Sequence, residues 1–150
     1  MIEWLIIALA LSGLIISIYF TFAYYGRIKK SRWIPEILCA REGSSCVTVV
    51  QTPYARVFGL PNSLLGIGYY LLVLLLVTRG LVSPLDLYVG DVYAVVSPLH
   101  VLFLPSLATI VLGFYLTYVL RRKLHVDCPL CYTAHAINLA IFALLIAAAR

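Results

Sequence analysis

The chain has 150 residues, of which 63% are hydrophobic and only 11% are charged, and its net charge is +5. This length is typical of one domain, and the composition excludes a water-soluble globule, because too much apolar surface would face water. The basic side chains stand beside apolar runs, as they do at membrane surfaces, and therefore indicate no nucleic-acid partner. The sequence predicts an integral membrane protein in contact with lipid.

Four apolar runs are candidates for membrane-spanning helices. A helix needs about 20 residues to cross the hydrocarbon core, and none of the runs shows the alternation of a membrane strand. We therefore predict an all-α integral membrane fold, a single domain over residues 1–150 built as a four-transmembrane-helix bundle. The predicted spans are residues 4–25, 62–78, 99–120 and 129–149.

Two long connections join these spans. The first, residues 27–61, contains Cys39 and Cys46. Its proline and serine positions predict two short helices on the membrane surface between the first two spans. The second connection, residues 79–98, is apolar but interrupted by proline and aspartate. We expect it to lie in the membrane interface and not to form a fifth span.

All four cysteines are predicted to lie on one side of the membrane. An even number of spans brings the first connection and the linker before the fourth span to the same face, together with Cys39, Cys46, Cys128 and Cys131. That face also carries most of the basic residues: Arg27, Lys29, Lys30, Arg32, Arg41, Arg56, Arg121, Arg122 and Lys123. Basic residues favour the cytoplasmic side, so we predict a multi-pass protein of the cell membrane in an inverted topology. The cysteines then face the cytosol, although disulfide chemistry there is rare outside hyperthermophiles.

Cys128 and Cys131 form a Cys-x-x-Cys motif at the start of the fourth span. Asp127 stands where it can cap that helix, and Pro129 suits the first turn. The amide groups and dipole of a helix N-terminus favour a thiolate, so the pKa of a thiol there is predicted to be low. Two thiols so close in sequence can form a disulfide and open it again, and the motif therefore indicates thiol–disulfide exchange.

The residues alone leave three interpretations of the four cysteines open. One is a zinc site, although the gap between Cys39 and Cys46 is wider than the roughly two to four residues usual for zinc ligands. Another is a pair of structural disulfides. The third, a redox relay, is favoured because a loop dithiol can carry electrons from a protein in water to a thiol pair at the membrane. In that relay Cys46 attacks Cys128, and Cys131 reduces a membrane quinone.

Polar and aromatic residues near the cysteine face outline a quinone site. His135 follows Cys131 by four residues and shares its helix face, and Asn62 begins the second span. Intramembrane polar side chains are functional candidates, so both are predicted to bind a quinone oxygen. The alternatives are helix capping for Asn62 and an interhelical hydrogen bond for His135. Aromatic walls are expected from Phe58, Tyr69 and Tyr70.

These motifs, in this order, resemble the vitamin K epoxide reductase family over nearly the whole chain. The matching stretches are the pair Cys39 and Cys46, then Phe58-Gly59-Leu60-Pro61, Asn62-Ser63-Leu64-Leu65-Gly66, and Cys128-Pro129-Leu130-Cys131-Tyr132-Thr133-Ala134-His135-Ala136-Ile137-Asn138. The resemblance implies a four-helix bundle around a quinone of the menaquinone or ubiquinone type. Prokaryotic members of the family are quinone-linked enzymes that form disulfides.

The resemblance also implies roles for the cysteines. Cys39 and Cys46 correspond to the shuttle pair of the family, and Cys128 and Cys131 correspond to its active-site pair. Some bacterial members carry a fused thioredoxin-like domain. None follows in this sequence, so a separate thioredoxin-fold dithiol protein is the expected electron donor.

The same resemblance implies that Asn62 and the residue at His135 bind the quinone. Many members have tyrosine at the position of His135, and Thr52 matches a position that carries a hydroxyl in the family. We therefore predict a quinone-dependent oxidoreductase that makes disulfides in a partner protein. The alternatives are an enzyme of the same fold that reduces a quinone epoxide, and a non-catalytic membrane protein with structural zinc or disulfides.

Overall fold

The computed structural model describes residues 1–27, 49–57, 59–81, 85–89 and 92–149. Its helices are α1 (Ile2–Tyr24), α2 (Asn62–Thr78), α3 (Pro98–Val119) and α4 (Pro129–Ala148). A 3-10 turn, Pro53–Ala55, precedes α2, and a π-helical turn, Leu120–Leu124, extends α3. The strands β1 (Arg56–Val57) and β2 (Leu60–Pro61) form one antiparallel pair, and β3 (Leu85–Val89) and β4 (Val92–Val96) form another.

Three of these helices are long and apolar enough to cross a membrane: α1, α3 together with its π-helical turn, and α4. Helix α2 has 17 residues. Its length of about 25 Å is shorter than a hydrocarbon core of about 30 Å. The four helices begin and end within two residues of the predicted runs. The predicted helical membrane bundle is confirmed, and the fourth span stays a prediction.

Helices α1 and α2 pack most closely, because small residues line the seam between them. Gly13 lies against the ring of Tyr70, and a Cβ added at Gly13 would come within 2.6 Å of the Tyr70 hydroxyl. Further along the seam, Ser17 faces Gly66, where an added Cβ would lie 2.7 Å from the serine hydroxyl. Small residues allow such close approach, which is the usual means of holding helices together in lipid.

Buried side chains form two clusters along the bundle. The larger one fills the middle and one end, and includes Ile6, Ala10, Val73, Leu76, Leu102, Ile141 and Leu145. The smaller one lies at the other end and consists of Phe20, Ala23, Val50, Leu120, Cys128 and Cys131. The end of α1, the segment before α2, the end of α3 and the start of α4 therefore meet at one end of the molecule, which we call the cysteine end.

The connection between α2 and α3 contains a β-hairpin that the sequence analysis missed. Strands β3 and β4 pair so that Val89 lies opposite Val92. Only Gly90 and Asp91 separate them, and a Gly-Asp pair between two runs rich in β-branched residues is a strong hairpin signal. No secondary structure was predicted for this connection, because the aspartates were interpreted only as interruptions of an apolar run. Its location in the membrane interface stays a prediction.

Candidate active site

The two cysteines of the Cys-x-x-Cys motif are buried at the start of α4. Cys128 is 0% exposed and Cys131 is 7% exposed. Cys128 occupies the N-cap position, where its Sγ accepts a hydrogen bond of 3.4 Å from the backbone N–H of Cys131, and Pro129 is the first helical residue. The expected Asp127 cap is therefore wrong. The Asp127 carboxylate instead accepts a 3.1 Å hydrogen bond from the hydroxyl of Tyr132.

The surroundings of Cys128 favour its thiolate. The side chain of Cys131 hydrogen-bonds to the sulfur, and this contact does most to lower the pKa of Cys128 below the usual value of a thiol. Burial opposes this effect, whereas the backbone N–H groups of Cys131 and Leu130 add to it. The net direction is that expected of a thiol at a helix N-terminus. Cys128 is thus suited to leave, or to attack, as a thiolate.

Apolar side chains enclose this dithiol from three segments of the chain. Phe20 and Ala23 come from α1, Leu120 from the π-helical turn, and Val50 from the segment before α2. Val50 stands four residues after Cys46 in the sequence. The sulfur of Cys128 is therefore closed to water, and the covering residue from the first connection is a close sequence neighbour of a loop cysteine.

The surface around the dithiol is basic. Arg121, Arg122 and Lys123 are exposed on the π-helical turn. The guanidinium of Arg121 lies 5.5 Å from the ring centroid of Tyr132, and the same tyrosine holds Asp127 through its hydroxyl. A cation over an aromatic face is attractive. This contact links the basic turn to the first turn of α4, so the start of α4 is fixed from both sides of the linker.

A cavity of about 900 Å³ lies beside the dithiol. Apolar side chains form most of its wall, and polar groups reach it from α1, α2 and α4. Cys131 lines this cavity, whereas Cys128 is not among the described residues that do so. The predicted site residues that the structure brings together here are Asn62, Tyr69, Tyr70, Cys131 and His135. Of the four other predicted site residues, Cys128 lies at the start of α4, and Cys39, Cys46 and Phe58 lie outside the described residues.

The imidazole of His135 packs directly against Gly113 of α3, where there is no side chain to keep it away. A Cβ added at Gly113 would lie 2.9 Å from Nδ1 of His135. That nitrogen is buried and has no hydrogen-bond partner among the described residues. The interhelical hydrogen bond that was the alternative for His135 is therefore not formed at Nδ1 with any residue in the described ranges. Because Nδ1 faces α3, the opposite edge of the imidazole ring is directed toward the cavity.

Asn62 and Thr52 bring polar groups to the cavity from the other side. Helix α2 starts at Asn62, and its N-cap position is Pro61, so Asn62 does not cap the helix. Its half-buried side chain lines the cavity. The hydroxyl of Thr52 donates a 2.7 Å hydrogen bond to the carbonyl oxygen of Val49. This bond closes the turn that contains Val50, a residue that belongs to the buried cluster around the dithiol and also lines the cavity.

The two adjacent tyrosines of α2 are tied to different helices. The hydroxyl of Tyr69 lies 3.0 Å from Oγ of Ser106 on α3. The hydroxyl of Tyr70 donates a 2.6 Å hydrogen bond to Oδ1 of Asn138 on α4. Ser106 and Asn138 were missing from the predicted site. For Asn138 the signal was present: it follows Cys131 by seven residues, shares the same helix face, and is a polar residue inside a predicted span.

The comparison with protein families agrees with the motifs and the helices. The family model described as the vitamin K epoxide reductase family matches residues 4–146, which is nearly the whole chain. The chain belongs to the vitamin K epoxide reductase family. A comparison with individual curated proteins finds no match. Family membership, together with the apolar helices, identifies a membrane oxidoreductase whose chemistry involves disulfides and quinones.

The cavity of this vitamin K epoxide reductase family member fits a quinone head group. Its volume lies within the usual range of small-molecule sites, which are mostly apolar with a few placed polar groups. A quinone is a flat apolar ring that carries acceptor oxygens. The ring would contact the apolar wall, and the side chains of Asn62 and His135 would hold an oxygen near Cys131.

Proposed function

We propose that this protein oxidises the dithiol of a partner protein to a disulfide and passes the electrons to a membrane quinone. One observation supports this direction of flow most strongly. Cys131 lines the cavity, whereas Cys128 does not, and Cys128 belongs to one buried cluster with Val50, which follows the loop cysteine Cys46 by four residues. The two sulfurs of one pair thus serve two different exchange partners, one in the loop and one in the lipid.

The first exchange takes place at the loop. A thioredoxin-fold protein in its dithiol form reduces a disulfide between Cys39 and Cys46 and leaves with its own disulfide. Two electrons and two protons then reside on the loop pair. Thiol–disulfide exchange of this kind proceeds through a mixed disulfide with the incoming protein.

The second exchange takes place at the start of α4. The Cys46 thiolate attacks Cys128 of a Cys128–Cys131 disulfide, so a Cys46–Cys128 bond forms and Cys131 leaves as a thiolate. Cys39 then attacks Cys46 and releases Cys128. A thiol of low pKa is the better leaving group, so the lowered pKa of Cys128 favours this second step. The loop pair ends as a disulfide and the α4 pair as a dithiol.

The third exchange takes place at the cavity. A quinone of the menaquinone or ubiquinone type supplies an acceptor for two electrons and two protons when it is bound. Asn62 and His135 bind its oxygen, and the rings of Tyr69 and Tyr70 form part of the apolar wall. Cys131 is the sulfur on the cavity side, and its electrons leave as the Cys128–Cys131 disulfide forms again.

Quinone reduction by the purified protein tests this function. The assay combines the protein in detergent, a reduced thioredoxin-fold protein and a ubiquinone or menaquinone analogue. We expect one protein disulfide for each quinone reduced. Turnover of a quinone epoxide with dithiothreitol, without oxidation of the protein dithiol, would assign the reductive direction instead. One zinc per chain without turnover would assign a structural role to the cysteines.

The order of the relay has its own test. A Cys39→Ser variant cannot resolve the bond between loop and α4, so we expect a Cys46–Cys128 disulfide to accumulate and to be found by mass spectrometry of peptides. A linkage from Cys46 to Cys131 would reverse the roles of the α4 cysteines. The matched Cys46→Ser variant lacks the attacking thiol and should accumulate no link to Cys128.

We also propose that the cysteine end faces the cytosol of the cell membrane, because it carries all the basic residues in the described ranges except Arg79. Two exposed positions at opposite ends provide matched reporters in a chain without native cysteines: Lys123→Cys at the cysteine end and Arg79→Cys at the end of α2. A membrane-impermeant maleimide should label Arg79→Cys in intact cells and Lys123→Cys only after permeabilisation. The opposite pattern would place the dithiol outside.

A further inference from the structure

The amide of Asn138 is held in one orientation by a tyrosine. Its Oδ1 accepts the 2.6 Å hydrogen bond from Tyr70, so its Nδ2 is turned away from that ring. An asparagine amide has two N–H donors on this nitrogen. No residue in the described ranges accepts from them, and Asn138 lines the cavity. The amide therefore presents donors to the cavity with its acceptor already used.

The depth of Asn138 makes these donors significant. It stands nine residues after Pro129, which at about 1.5 Å per residue is roughly 14 Å along the helix. That is near the middle of a hydrocarbon core about 30 Å thick. A polar group that finds no partner in such surroundings is energetically unfavourable. An acceptor from a bound molecule removes this cost.

The tyrosine that orients the amide is itself immobile. Tyr70 is 2% exposed and belongs to the buried core. Its phenol group sits in the space left by Gly13 on α1, where an added Cβ would overlap it. The orientation of the Asn138 amide thus depends on a contact between α1 and α2 at the hydroxyl end of the Tyr70 ring.

Cys131, His135 and Asn138 follow each other on one face of α4. Spacings of four and three residues place side chains above one another on a helix, about 5–6 Å apart. The cavity face of α4 therefore runs from a reactive sulfur to an imidazole and then to an amide donor. Consider a ring that carries two oxygens on opposite sides. With one oxygen at the level of His135, the other oxygen would reach the amide of Asn138.

We propose that Asn138, oriented by Tyr70, donates a hydrogen bond to the second oxygen of the quinone and makes the site selective for para-quinones. This inference rests on the proposed quinone reduction. Asn138 is then a binding residue, and Tyr70 is a positioning residue. An ortho-quinone has both oxygens on neighbouring carbons, so one ligand cannot reach the level of His135 and that of Asn138 at the same time.

Infrared spectroscopy of the bound quinone tests the proposal directly. The probe is para-naphthoquinone with an isotope label at one or the other carbonyl, bound to the full chain in detergent. In the natural protein both carbonyl bands should be displaced from their positions in detergent alone. In Asn138→Leu one band should return to its position in detergent, and the other should stay displaced. Two bands that stay displaced in Asn138→Leu would overturn the proposal.

Equilibrium binding provides a second readout that does not depend on turnover. One hydrogen bond is worth about tenfold in affinity, so Asn138→Leu should bind para-naphthoquinone about tenfold more weakly. Its affinity for ortho-naphthoquinone should change less than twofold. Equal losses for both ligands would assign Asn138 a structural role and contradict the proposal.

A variant that leaves α4 intact guards against a loss of folding in Asn138→Leu. Gly13→Ala pushes on the phenol of Tyr70 and should weaken the same carbonyl band and the same para preference. Gly68→Ala is its matched control, because an added Cβ at Gly68 meets nothing within 4 Å. If Gly13→Ala keeps the spectrum of Gly68→Ala, Tyr70 does not position the amide. If the natural protein binds and reduces no quinone, the proposed function itself is wrong.

Discussion

The two halves of the cavity use their polar groups in opposite ways. The outer half, next to the dithiol, is formed by Cys131, His135 and Asn62. No described residue is hydrogen-bonded to the side chain of Asn62 or His135, and Nδ1 of His135 is buried without a partner among the described residues. In the inner half, by contrast, the hydroxyls of Tyr69 and Tyr70 are both bonded to a neighbouring helix.

This difference separates binding from support. Inside a membrane, an unpaired polar group is expensive and is retained where it has a functional use. A paired one stabilises the contact between helices, by about 1 kcal/mol or less in measured cases. We therefore expect changes in the outer half to affect electron transfer and ligand binding. Changes in the inner half should affect stability first, except at Asn138, whose amide belongs to both halves.

The largest expected effect is at the sulfur of the outer half. Cys131→Ser removes the thiol that lines the cavity, and quinone reduction should fall by about a thousandfold or more, as for other essential nucleophiles. Stopped-flow absorbance of the quinone measures this. The serine is nearly isosteric, so the melting temperature serves as the control and should change little. Residual turnover above one tenth of normal would remove Cys131 from the reaction.

A smaller effect is expected at the imidazole of the outer half. Gly113→Ala places a methyl group 2.9 Å from Nδ1 of His135, so the ring must move. The quinone KM should rise about tenfold, the value of one hydrogen bond, with little change in kcat. His135→Phe should show the same increase. Gly68→Ala, which has open space around it, is the control and should keep the normal KM.

The acidity of Cys128 should change with its neighbour in the outer half. The side chain of Cys131 is the main cause of the lowered pKa of Cys128. A Cys131→Ala variant loses that contact, so the pKa of Cys128 should rise toward the ordinary thiol value near about 8.5.

The pH dependence of slow alkylation by iodoacetamide measures this change. The reaction requires the thiolate, so its rate increases with pH and is half-maximal at the pKa. In the natural protein the midpoint should lie below that of the variant. Each reduced chain is analysed by mass spectrometry at Cys128, so that the loop cysteines do not contribute. Equal midpoints would exclude Cys131 as the cause.

The smallest effect on function is expected in the inner half. Ser106 is 0% exposed and hydrogen-bonded to Tyr69. Ser106→Ala removes this partner of the tyrosine hydroxyl, which should reduce the free energy of unfolding by about 1 kcal/mol or less. Thermal unfolding in detergent measures the loss, and quinone affinity should change less than twofold. A tenfold loss of affinity without a loss of stability would erase the distinction between the halves.

Much of the bundle could be predicted because helices in lipid are specified locally. An apolar run of sufficient length must satisfy its own backbone, so the positions of α1 to α4 follow from composition and from breaks such as Pro129. The position of the Cys-x-x-Cys motif at the N-terminus of α4 could be predicted because the same break, Pro129, marks the start of that helix. The β3–β4 hairpin was missed although Gly90 and Asp91 signalled it, because an apolar run next to a span was interpreted by composition and not by turn chemistry.

The contacts of the cavity could not be predicted, because they depend on how the helices rotate against each other. Nothing in the sequence pairs Tyr70 with Asn138, which stand 68 positions apart. The seam between α1 and α2 that fixes this pairing depends on Gly13, which has no side chain and therefore gives no sign of a contact in the sequence. The cap of α4 was also misassigned. Asp127 is the stronger capping residue by preference, but Tyr132 holds its carboxylate and leaves the cap to a sulfur.

The complete enclosure of Cys128 has a consequence for the fidelity of electron transfer. A sulfur that is buried from water also reacts only slowly with peroxide, metal ions and small thiols such as glutathione. In the proposed relay, its oxidation state is then set by the two exchange partners and not by the redox poise of the compartment. Phe20, Ala23, Val50 and Leu120 thereby insulate the couple. In a reducing cytosol, this burial would allow a dithiol oxidase to form disulfides without having its own cysteine pair reduced by cytosolic thiols.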